Sequence, residues 1–543
     1  MKAIAFDSED DSSGNVFIMN FFDGKNHTTF TGKNIKKEAM NYIYSASNNL
    51  FFAHNLEYDL INLSFPFFID QFELFYIGGR LLYAKLKGTK KKFFDSFNFS
   101  FSSLKMIGEV IGLAKMETDD FFNIEYCQRD TEIVWYYMEN FNVSLFEEFE
   151  LKPKISLAGT AQNIFLRRFD KYKTGGVNTD TDLLNAYYGG RCEAFKIGHV
   201  SNYVFETDIN SSYPNVMRNY KLPVMEGYET LEPEEEKYIA EVIVSVKENI
   251  DIPILPKRDE RLYFPVGTFK TWVTSDELKL AQSEGQIISV EYLKTFNFPE
   301  CNYVFKDFVD YFYNQRLKAK VKGDNFKSQY YKLILNSTYG RFALRNGLQM
   351  VNTDGTDFTS ENIIIESKKN INYSIALFIT SYARIELYKL IMKVKNSGAI
   401  PLYCDTDSVY FTYKGKIDLQ DTIKKCHEFL PVNNELGSVS LECYTDGVFY
   451  NAKQYMVVKF TDAMKIKCKG IPKKQRWDYL NTGKTNYQRP IKLRTYLYSI
   501  DKTFPPNYWK DFFIEKHSEY KKRDIIKSDK ELKDTTAKKY SLN

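Results

Sequence analysis

The stretch Ile400-Pro-Leu-Tyr-Cys-Asp-Thr-Asp-Ser-Val-Tyr-Phe411 places two acids, Asp405 and Asp407, between two apolar arms. Side chains alternate along a strand, so on a strand or at a hairpin tip both carboxylates lie on one face. Two acids among apolar side chains repel each other and resist desolvation unless cations neutralise them. Their hard oxygen donors suit Mg²⁺ or Mn²⁺ better than zinc. Taken alone, such a pair is more often two turn aspartates that bind backbone amides.

A third acid lies far upstream, in Phe205-Glu-Thr-Asp208-Ile-Asn-Ser-Ser-Tyr213-Pro214. This pattern predicts a short strand that ends at Asp208, and Pro214 favours the start of a helix just beyond it. If Asp208 lies beside the other two acids, the three can hold two metal ions roughly 3.5–4 Å apart, a spacing that suits in-line phosphoryl transfer.

Residues 304–343 contain two helical patterns broken at Lys322-Gly-Asp-Asn325, which predicts a helical hairpin. The second pattern runs through Lys332-Leu-Ile-Leu-Asn336-Ser-Thr-Tyr339-Gly340, so Lys332, Asn336 and Tyr339 are expected on one helical stripe. Three basic side chains of the hairpin could then face a triphosphate, namely Arg316, Lys320 and Lys332. An ordinary amphipathic surface would explain these charges, but it does not explain the Asn-Ser-x-Tyr-Gly run.

The N-terminal part carries a second set of four acids, drawn from three distant segments: Asp7, Glu9, Asp59 and Asp130. Together they could form another two-metal site, which would activate water to cut a phosphodiester. Tyr126 lies four residues before Asp130, so on a helix its hydroxyl could orient that water. Each acid taken singly is more simply explained as a surface or capping residue.

Composition and charge narrow the class of protein. The 543 residues have a net charge of +4, which divides into +10 over residues 451–500, +3 over 501–543 and −9 before them. A basic C-terminal part on an acidic body indicates a bound polyanion, although a solvated lysine-rich surface is the alternative. Seven cysteines without a CxxC pair indicate reduced thiols and argue against a zinc ribbon. No long apolar run or signal-like N-terminus occurs, so we expect a cytoplasmic protein that is neither secreted nor bound to a membrane.

Taken in order, these motifs resemble motifs A, B and C of family B DNA polymerases. Lys453-Gln-Tyr455 resembles the family's Lys-x-Tyr primer-binding motif, and Tyr187-Tyr-Gly189-Gly190 resembles its Tyr-x-Gly-Gly template-binding element. The size and spacing are similar to the protein-primed branch, found in phages and linear plasmids. The N-terminal acids then resemble the motifs Exo I, Exo II and Exo III of a 3′–5′ proofreading nuclease.

The resemblance implies roles for individual residues. Asp208 and Asp407 would bind two Mg²⁺ ions (Mn²⁺ being possible), with Asp405 alongside and the carbonyl of Ile209 assisting. Tyr213 would lie under the sugar and exclude a 2′-hydroxyl. Further contacts would come from residues at the nucleotide pocket (Arg316, Lys320, Lys332, Asn336, Tyr339), at the polymerase DNA site (Tyr187, Gly189, Gly190, Lys453, Tyr455) and at the exonuclease (Asn55, Ser103, Leu104). In the exonuclease, Asp7, Glu9, Asp59 and Asp130 would be the metal ligands.

The implied fold class is a multidomain α/β (α+β) protein, in which an RNase H-like exonuclease domain precedes a right-hand palm, fingers and thumb. The expected segments are the exonuclease (1–170), palm with a first insertion at about 225–300 (180–300), fingers (301–342), second insertion (343–372), palm (373–460) and basic thumb with tail (461–543). The expected function is primer-dependent, strand-displacing DNA synthesis with proofreading by a monomer that uses primer-template DNA, dNTPs and a terminal priming protein. Two alternatives stay open: a DNA-primed family B polymerase of a mobile element, and a catalytically inactive nucleic-acid-binding scaffold.

Overall fold

The computed structural model describes residues 2–11, 14–77, 79–118, 122–200, 202–344, 349–351, 370–415, 417–498, 506–507, 509–515, 533–534 and 539–540. Contacts among these residues divide them into two compact units. Unit one draws on the ranges 1–169, 310–369 and 488–512, and unit two on 170–309, 370–487 and 513–543. Most of the predicted second insertion, 343–372, lies outside the described residues.

The helices over the described ranges are, in chain order, Ile35–Ser45 (α1), Leu56–Ser64 (α2), Phe97–Ser100 (α3), Leu104–Ile111 (α4), Ile124–Phe149 (α5), Leu157–Ile164 (α6), Ser212–Asn219 (α7), Ser275–Ser283 (α8), Lys306–Val321 (α9), Asn325–Ser337 (α10), Tyr373–Asn396 (α11), Leu419–Phe429 (α12), Arg476–Thr482 (α13) and Leu493–Tyr498 (α14). Within these ranges, no helix is both long enough and apolar enough to cross a bilayer.

The strands over the same ranges are Ala3–Asp10 (β1), Val16–Phe22 (β2), His27–Thr31 (β3), Leu50–Ala53 (β4), Phe72–Ile77 (β5), Arg80–Leu86 (β6), Lys92–Asp95 (β7), Cys192–Ala194 (β8), Lys196–Val200 (β9), Val204–Ile209 (β10), Leu222–Pro223 (β11), Tyr228–Thr230 (β12), Lys237–Val246 (β13), Lys257–Arg258 (β14), Leu262–Tyr263 (β15), Val266–Thr274 (β16), Ile287–Phe298 (β17), Cys301–Asn302 (β18), Gln349–Val351 (β19), Ile400–Asp405 (β20), Ser408–Thr412 (β21), Val439–Tyr444 (β22), Asp446–Asn451 (β23), Gln454–Val458 (β24), Met464–Cys468 (β25), Lys484–Pro490 (β26), Trp509–Glu515 (β27), Lys533–Asp534 (β28) and Lys539–Tyr540 (β29).

Unit one is built on a mixed sheet whose described strands follow the order β19-β5-β6-β7-β4-β1-β2-β3. β1, β4 and β7 run parallel to one another, whereas β2, β3, β5 and β6 pair antiparallel with their neighbours. The long helix α5 packs on β1 and β2. β1 and β2 pair antiparallel over most of their length.

The predicted helical hairpin is present as α9 and α10. Asp324 begins α10, since its carboxylate accepts a hydrogen bond from the backbone N–H of Lys327 at 2.8 Å. In unit one, Tyr330 of α10 packs edge-on against Phe141 of α5 at 5.2 Å between ring centroids. The prediction that Tyr339 continues this helix is wrong, because α10 ends at Ser337 and a 3₁₀ turn follows. Thr338, between α10 and this turn, keeps right-handed helical dihedrals (φ −72°, ψ −50°), so the 3₁₀ winding begins at Tyr339 itself.

Part of the predicted basic C-terminal segment belongs to unit one. Leu493 and Leu497 of α14 are buried in the core that the N-terminal sheet of unit one forms. Their spacing of four residues gives α14 one apolar face, which this core covers. The 461–543 segment is thus divided between the two units.

Unit two contains an antiparallel sheet with the order β22-β10-β21-β20-β8, which α11 covers with an almost wholly buried surface. The predicted first insertion forms a second sheet, in which β13 pairs with both β16 and β17. A third sheet follows the order β25-β24-β23-β9-β28 over the described strands. The first of these sheets carries the acids of the predicted polymerase site.

Candidate active sites

Three strands of unit two bring the predicted polymerase carboxylates together. β10 pairs with β21 so that Asp208 lies opposite Ser408, and β20 pairs with β21 as far as Asp405. The backbone N–H of Ile209 donates to the carbonyl of Asp407 at 2.8 Å. This bond ties the turn that carries Asp407 to the end of β10, so the three acids lie at adjacent strand ends.

The turn between β20 and β21 is held from one side by the Gly189-Gly190 segment. Thr406 has a φ of 66°, and its backbone N–H donates to the carbonyl of Arg191 at 2.7 Å. A Cβ atom at Gly190 would lie 2.8 Å from two side-chain atoms of Thr406, whereas one at Gly189 would meet nothing within 4 Å. Gly190 is therefore required for packing against the acidic turn. The half-buried Tyr187 precedes this segment.

The negative charges of Asp208 and Asp407 are unfavourable in their surroundings. Burial, reinforced by the negative charge of Asp407, raises the pKa of Asp208 to about 7. Burial and the charge of Asp405 likewise raise the pKa of Asp407 to about 6. Carboxylates that are hard to ionise in a cation-free environment are the donor set that a hard divalent cation stabilises. The residues present therefore fit Mg²⁺ or Mn²⁺.

The two residues of the Lys-x-Tyr motif have different surroundings. Lys453 lies in the turn between β23 and β24, and its ammonium group contacts the carboxylate of Asp405. Tyr455 is only 3% exposed, and its hydroxyl lies 3.0 Å from that of Tyr410. The predicted direct contact of Tyr455 with DNA is therefore not supported, because the ring belongs to the core of the unit.

Sequence reasoning missed the polar network beneath Asp208. Glu206 lies on the same face of β10 as Asp208 and accepts hydrogen bonds from Lys465, Tyr410 and Tyr444 at 2.5–2.8 Å. Lys465 stands 259 positions away in the chain. The only signal in the sequence was a second acid in the strand that carries Asp208.

Arg384 is a second missed residue, and it supports the Gly-Gly segment. Its guanidinium is 4% exposed and donates to the carbonyls of Tyr188 and Gly189 at 3.1 Å. Glu277 balances its charge at 2.8 Å.

Tyr213, predicted to contact the sugar, lies half-buried in the first turn of α7.

The basic residues of the hairpin form a cluster in unit one. Partial desolvation, together with the positive charges of Arg316 and Lys320, lowers the pKa of Lys332. The Nε atom of Arg316 is buried and finds no acceptor in the described part of the chain. Such a cluster of positive charges is suited to binding an anion. Asn336 is exposed and Tyr339 half-buried.

In unit one, the N-terminal acids gather at one end of the sheet. Asp7 and Glu9 lie near the end of β1, Asp59 lies on α2 directly after β4, and Asp130 lies on α5. Asp59 accepts hydrogen bonds from the backbone N–H of Ser8 at 3.0 Å and from its hydroxyl at 2.7 Å. These bonds fix α2 against β1.

The four carboxylates outnumber the positive charges near them. Burial and the charges of Asp59 and Asp130 raise the pKa of Asp7 well above its ordinary value, and burial with Asp130 raises that of Glu9 to about 7. Lys115 contacts Asp130, but the second oxygen of Asp130 is buried and has no hydrogen-bond partner among the residues that the structure describes. This set of oxygen donors fits divalent metal ions.

Two neighbours complete the exonuclease-like cluster. The ammonium of Lys115 lies 4.3 Å from the ring centre of Tyr126, so the predicted tyrosine is next to the acids. The thiol of Cys127 lies 3.5 Å from Asp7, and burial raises its pKa well above the usual value. The thiol thus stays protonated, and Cys127 is a packing neighbour of the acids, which sequence analysis had not singled out.

The residues predicted to contact DNA in unit one, Asn55, Ser103 and Leu104, contribute to the local backbone structure and packing. Asn55 adopts a left-handed φ of 71°, and its backbone N–H donates to Asp95 at 2.9 Å. Ser103 begins α4, and Leu104 is buried. Ser96 instead lies beside the Asn55 loop, 3.0 Å from the ring of His54. Sequence reasoning missed Ser96, which follows the end of β7.

The family profile described as DNA polymerase type B, organellar and viral, matches residues 115–413, more than half of the chain. The chain belongs to this family. The family B resemblance drawn from the motifs is therefore confirmed.

Two curated relatives are phage proteins. The DNA-directed DNA polymerase of Enterobacteria phage PRD1 is 32% identical over 287 residues, which cover 49% of this chain and 50% of the relative. The DNA polymerase of Bacillus phage phi29 is 27% identical over 298 residues, which cover 50% of this chain and 48% of the relative. The chain thus spans about half the length of the curated relatives it matches.

Solved structures extend the similarity in fold to nearly the whole of this chain. A crystal form of phi29 DNA polymerase matches 95% of this chain and 100% of its own at a TM-score of 0.71 and 17% identity. The same enzyme complexed with primer-template DNA and incoming nucleotides matches equally well, at 0.71. The predicted fold class, a multidomain α/β (α+β) protein with the architecture of this polymerase, is confirmed.

Proposed function

We propose that the chain is a template-directed DNA polymerase that adds deoxynucleotides to a primer 3′-OH. One observation carries the proposal: Asp208 and the Asp405–Asp407 turn converge at paired strand ends, with pKa values raised by burial and mutual repulsion. Solved complexes of the phi29 polymerase contain primer-template DNA and nucleotides, which supports the same partners for this chain.

In this proposal Asp208 and Asp407 hold Mg²⁺, with the Ile209 carbonyl assisting and Mn²⁺ as a substitute. The bound metal supplies positive charge that activates the primer 3′ oxygen and stabilises the α-phosphate. Lys453 neutralises Asp405 and orients the primer end. In unit one, the basic cluster of the hairpin would contact the triphosphate of the incoming nucleotide, and Asn336 and Tyr339 would contact the rest of it. In unit two, Tyr213 would exclude a 2′-hydroxyl.

Primer extension tests this assignment. Asp407→Asn keeps the size of the side chain but removes the charge, so we expect incorporation to fall by at least about 10³-fold, in line with losing a central electrostatic group. Asp421→Asn is the matched control, because Asp421 is an exposed acid (79%) on α12 of the same unit. Extension by Asp407→Asn at the rate of the control would reject the proposed site.

We further propose a 3′–5′ exonuclease in unit one. Asp7, Glu9, Asp59 and Asp130 would hold the metal, and Lys115 with Tyr126 would orient the attacking water. The double variant Asp7→Ala/Glu9→Ala should lose degradation of single-stranded DNA and retain primer extension. Loss of both activities would show that the catalytic groups are not separated in this way.

Protein priming and strand displacement complete the proposal. The sheet formed by residues 237–298 lies where the first terminal-protein insertion was expected, and similarity to phage polymerases supports this branch. In the host cytoplasm, a hydroxyl oxygen of a terminal protein would then attack the α-phosphate of the first nucleotide, and pyrophosphate would leave. Transfer of a labelled nucleotide to a protein partner tests priming, and extension around a primed circular template without helicase or clamp tests displacement.

A further inference from the structure

Arg80 carries a donor that no neighbour in the described chain satisfies. Its Nη2 atom is buried and has no hydrogen-bond partner among the described residues. The guanidinium lies against two aromatic rings, 4.8 Å from the centre of Phe97 and 5.2 Å from that of Phe101. Asp95 attracts it, but an oxygen of Asp95 already accepts from two backbone N–H groups. A buried guanidinium donor without an acceptor is unfavourable unless a ligand supplies one.

The register places Arg80 at the catalytic end of the unit-one sheet. β6 runs antiparallel to β7, with Tyr83 opposite Phe94, so Arg80 at the start of β6 lies beside the end of β7. β7 runs parallel to β4, and both strands end at the edge where the four carboxylates gather. The ring of Phe97 also contacts that of His54, at 5.6 Å between centroids. Arg80 thus belongs to the rim of the exonuclease-like cluster.

We propose that Arg80 binds a backbone phosphate of the single DNA strand whose 3′ end enters the exonuclease cluster, an inference that rests on the exonuclease activity proposed above. Phe97 and Phe101 fix the plane of the guanidinium, which reduces the entropy lost on binding. A phosphate oxygen gives the buried Nη2 a charge-assisted hydrogen bond. Phe101, 51% exposed, leaves ring surface for the strand.

The test compares Arg80→Met with Lys90→Met. Both remove one positive charge, but Lys90 is exposed in the loop at the opposite end of β6. Binding of a labelled single strand of about five nucleotides is measured in EDTA, which prevents degradation, over a range of salt concentrations. For Arg80→Met we expect affinity about tenfold weaker and a log–log salt slope shallower by about 0.7, as for one lost phosphate contact. Lys90→Met should match the wild type.

Two further measurements distinguish a phosphate contact of Arg80 from a purely structural role of this residue. Arg80→Lys keeps the charge and should keep the salt slope; if it loses the slope as Arg80→Met does, the proposal is overturned. With Mg²⁺, Arg80→Met should raise KM for single-strand degradation about tenfold and leave kcat within about twofold. Equal affinities and equal KM values for Arg80→Met and Lys90→Met would also overturn the proposal. Absence of degradation by the wild type refutes the exonuclease proposal instead, and binding in EDTA still decides the role of Arg80.

Discussion

The ion pair between Glu206 and Lys465 provides a direct test of how β10, the strand of Asp208, is held. The ammonium of Lys465 lies 2.6 and 2.8 Å from the two carboxylate oxygens of Glu206. The hydroxyls of Tyr410 and Tyr444 donate to the same carboxylate at 2.6 and 2.5 Å. The Glu206 side chain is 10% exposed, so Lys465→Met leaves an almost buried carboxylate with two neutral donors.

The expected loss of unfolding free energy in Lys465→Met follows from how deeply the two charged side chains are buried. Removing one partner of a fully buried ion pair costs about 3–5 kcal/mol. Since Lys465 is 31% exposed, and since both tyrosine donors remain, we expect the free energy of unfolding to fall by about 2–3 kcal/mol. In a domain of a few hundred residues that is a fall in Tm of about 5–10 °C. Adding Glu206→Gln removes the unpaired charge and should restore most of the loss.

Thermal unfolding followed by circular dichroism at neutral pH measures this effect. Lys459→Met is the matched control, because Lys459 is exposed in the turn between β24 and β25, the strand that carries Lys465. It should change stability by less than about 0.5 kcal/mol. Equal Tm values for the two single variants would refute the reasoning. A double variant as unstable as Lys465→Met would assign the loss to packing and not to the charge on Glu206.

Three other predictions concern the proposed polymerase site. Because folding raises the pKa of Asp208 to about 7 and that of Asp407 to about 6, the metal-free protein should lose stability as pH rises from about 4 to 7. Added Mg²⁺ should therefore raise Tm more at pH 8 than at pH 5.5, and an equal rise at both would contradict this. Gly190→Ala should slow primer extension at least about tenfold by displacing the acidic turn; Gly189→Ala, which has open space, is its control, and equal rates would disprove the clash. Tyr213→Val should admit ribonucleotides in an incorporation assay, and unchanged sugar selection would exclude Tyr213 as the gate.

Local patterns made much of the fold predictable. The arms around Asp405 and the run before Asp208 are short, mostly apolar segments next to polar turn residues, and the structure forms β20, β21 and β10 there. Lys322-Gly-Asp-Asn325 interrupts a period near 3.6, and α9 and α10 meet at that break. In these segments the chain's own periodicity and turn residues agree with the tertiary structure, which is why sequence alone is sufficient.

What could not be predicted depends on contacts between distant residues. Nothing near Lys465 in the sequence shows that its partner is Glu206, because that pairing arises only when two sheets pack together. Leu493 and Leu497 show an apolar helical face, but not which core covers it. The burial of Tyr455 could not be predicted for a similar reason, since a tyrosine two positions after a lysine suits a nucleic-acid surface and a core equally well.

Both carboxylate clusters share an incomplete balance of charge, and this is the strongest physical argument for metal binding in each unit. In the described part of unit one, Lys115 is the one lysine that contacts the four acids, and an oxygen of Asp130 has no hydrogen-bond partner there. In unit two, Lys453 contacts Asp405, which leaves Asp208 and Asp407 with raised pKa values. A fold that needed only stability would pair or remove such charges, because buried like charges are unfavourable. The backbone bonds that hold the acids together therefore store a repulsion that a divalent cation relieves, so metal affinity and stability should change together when these acids are altered.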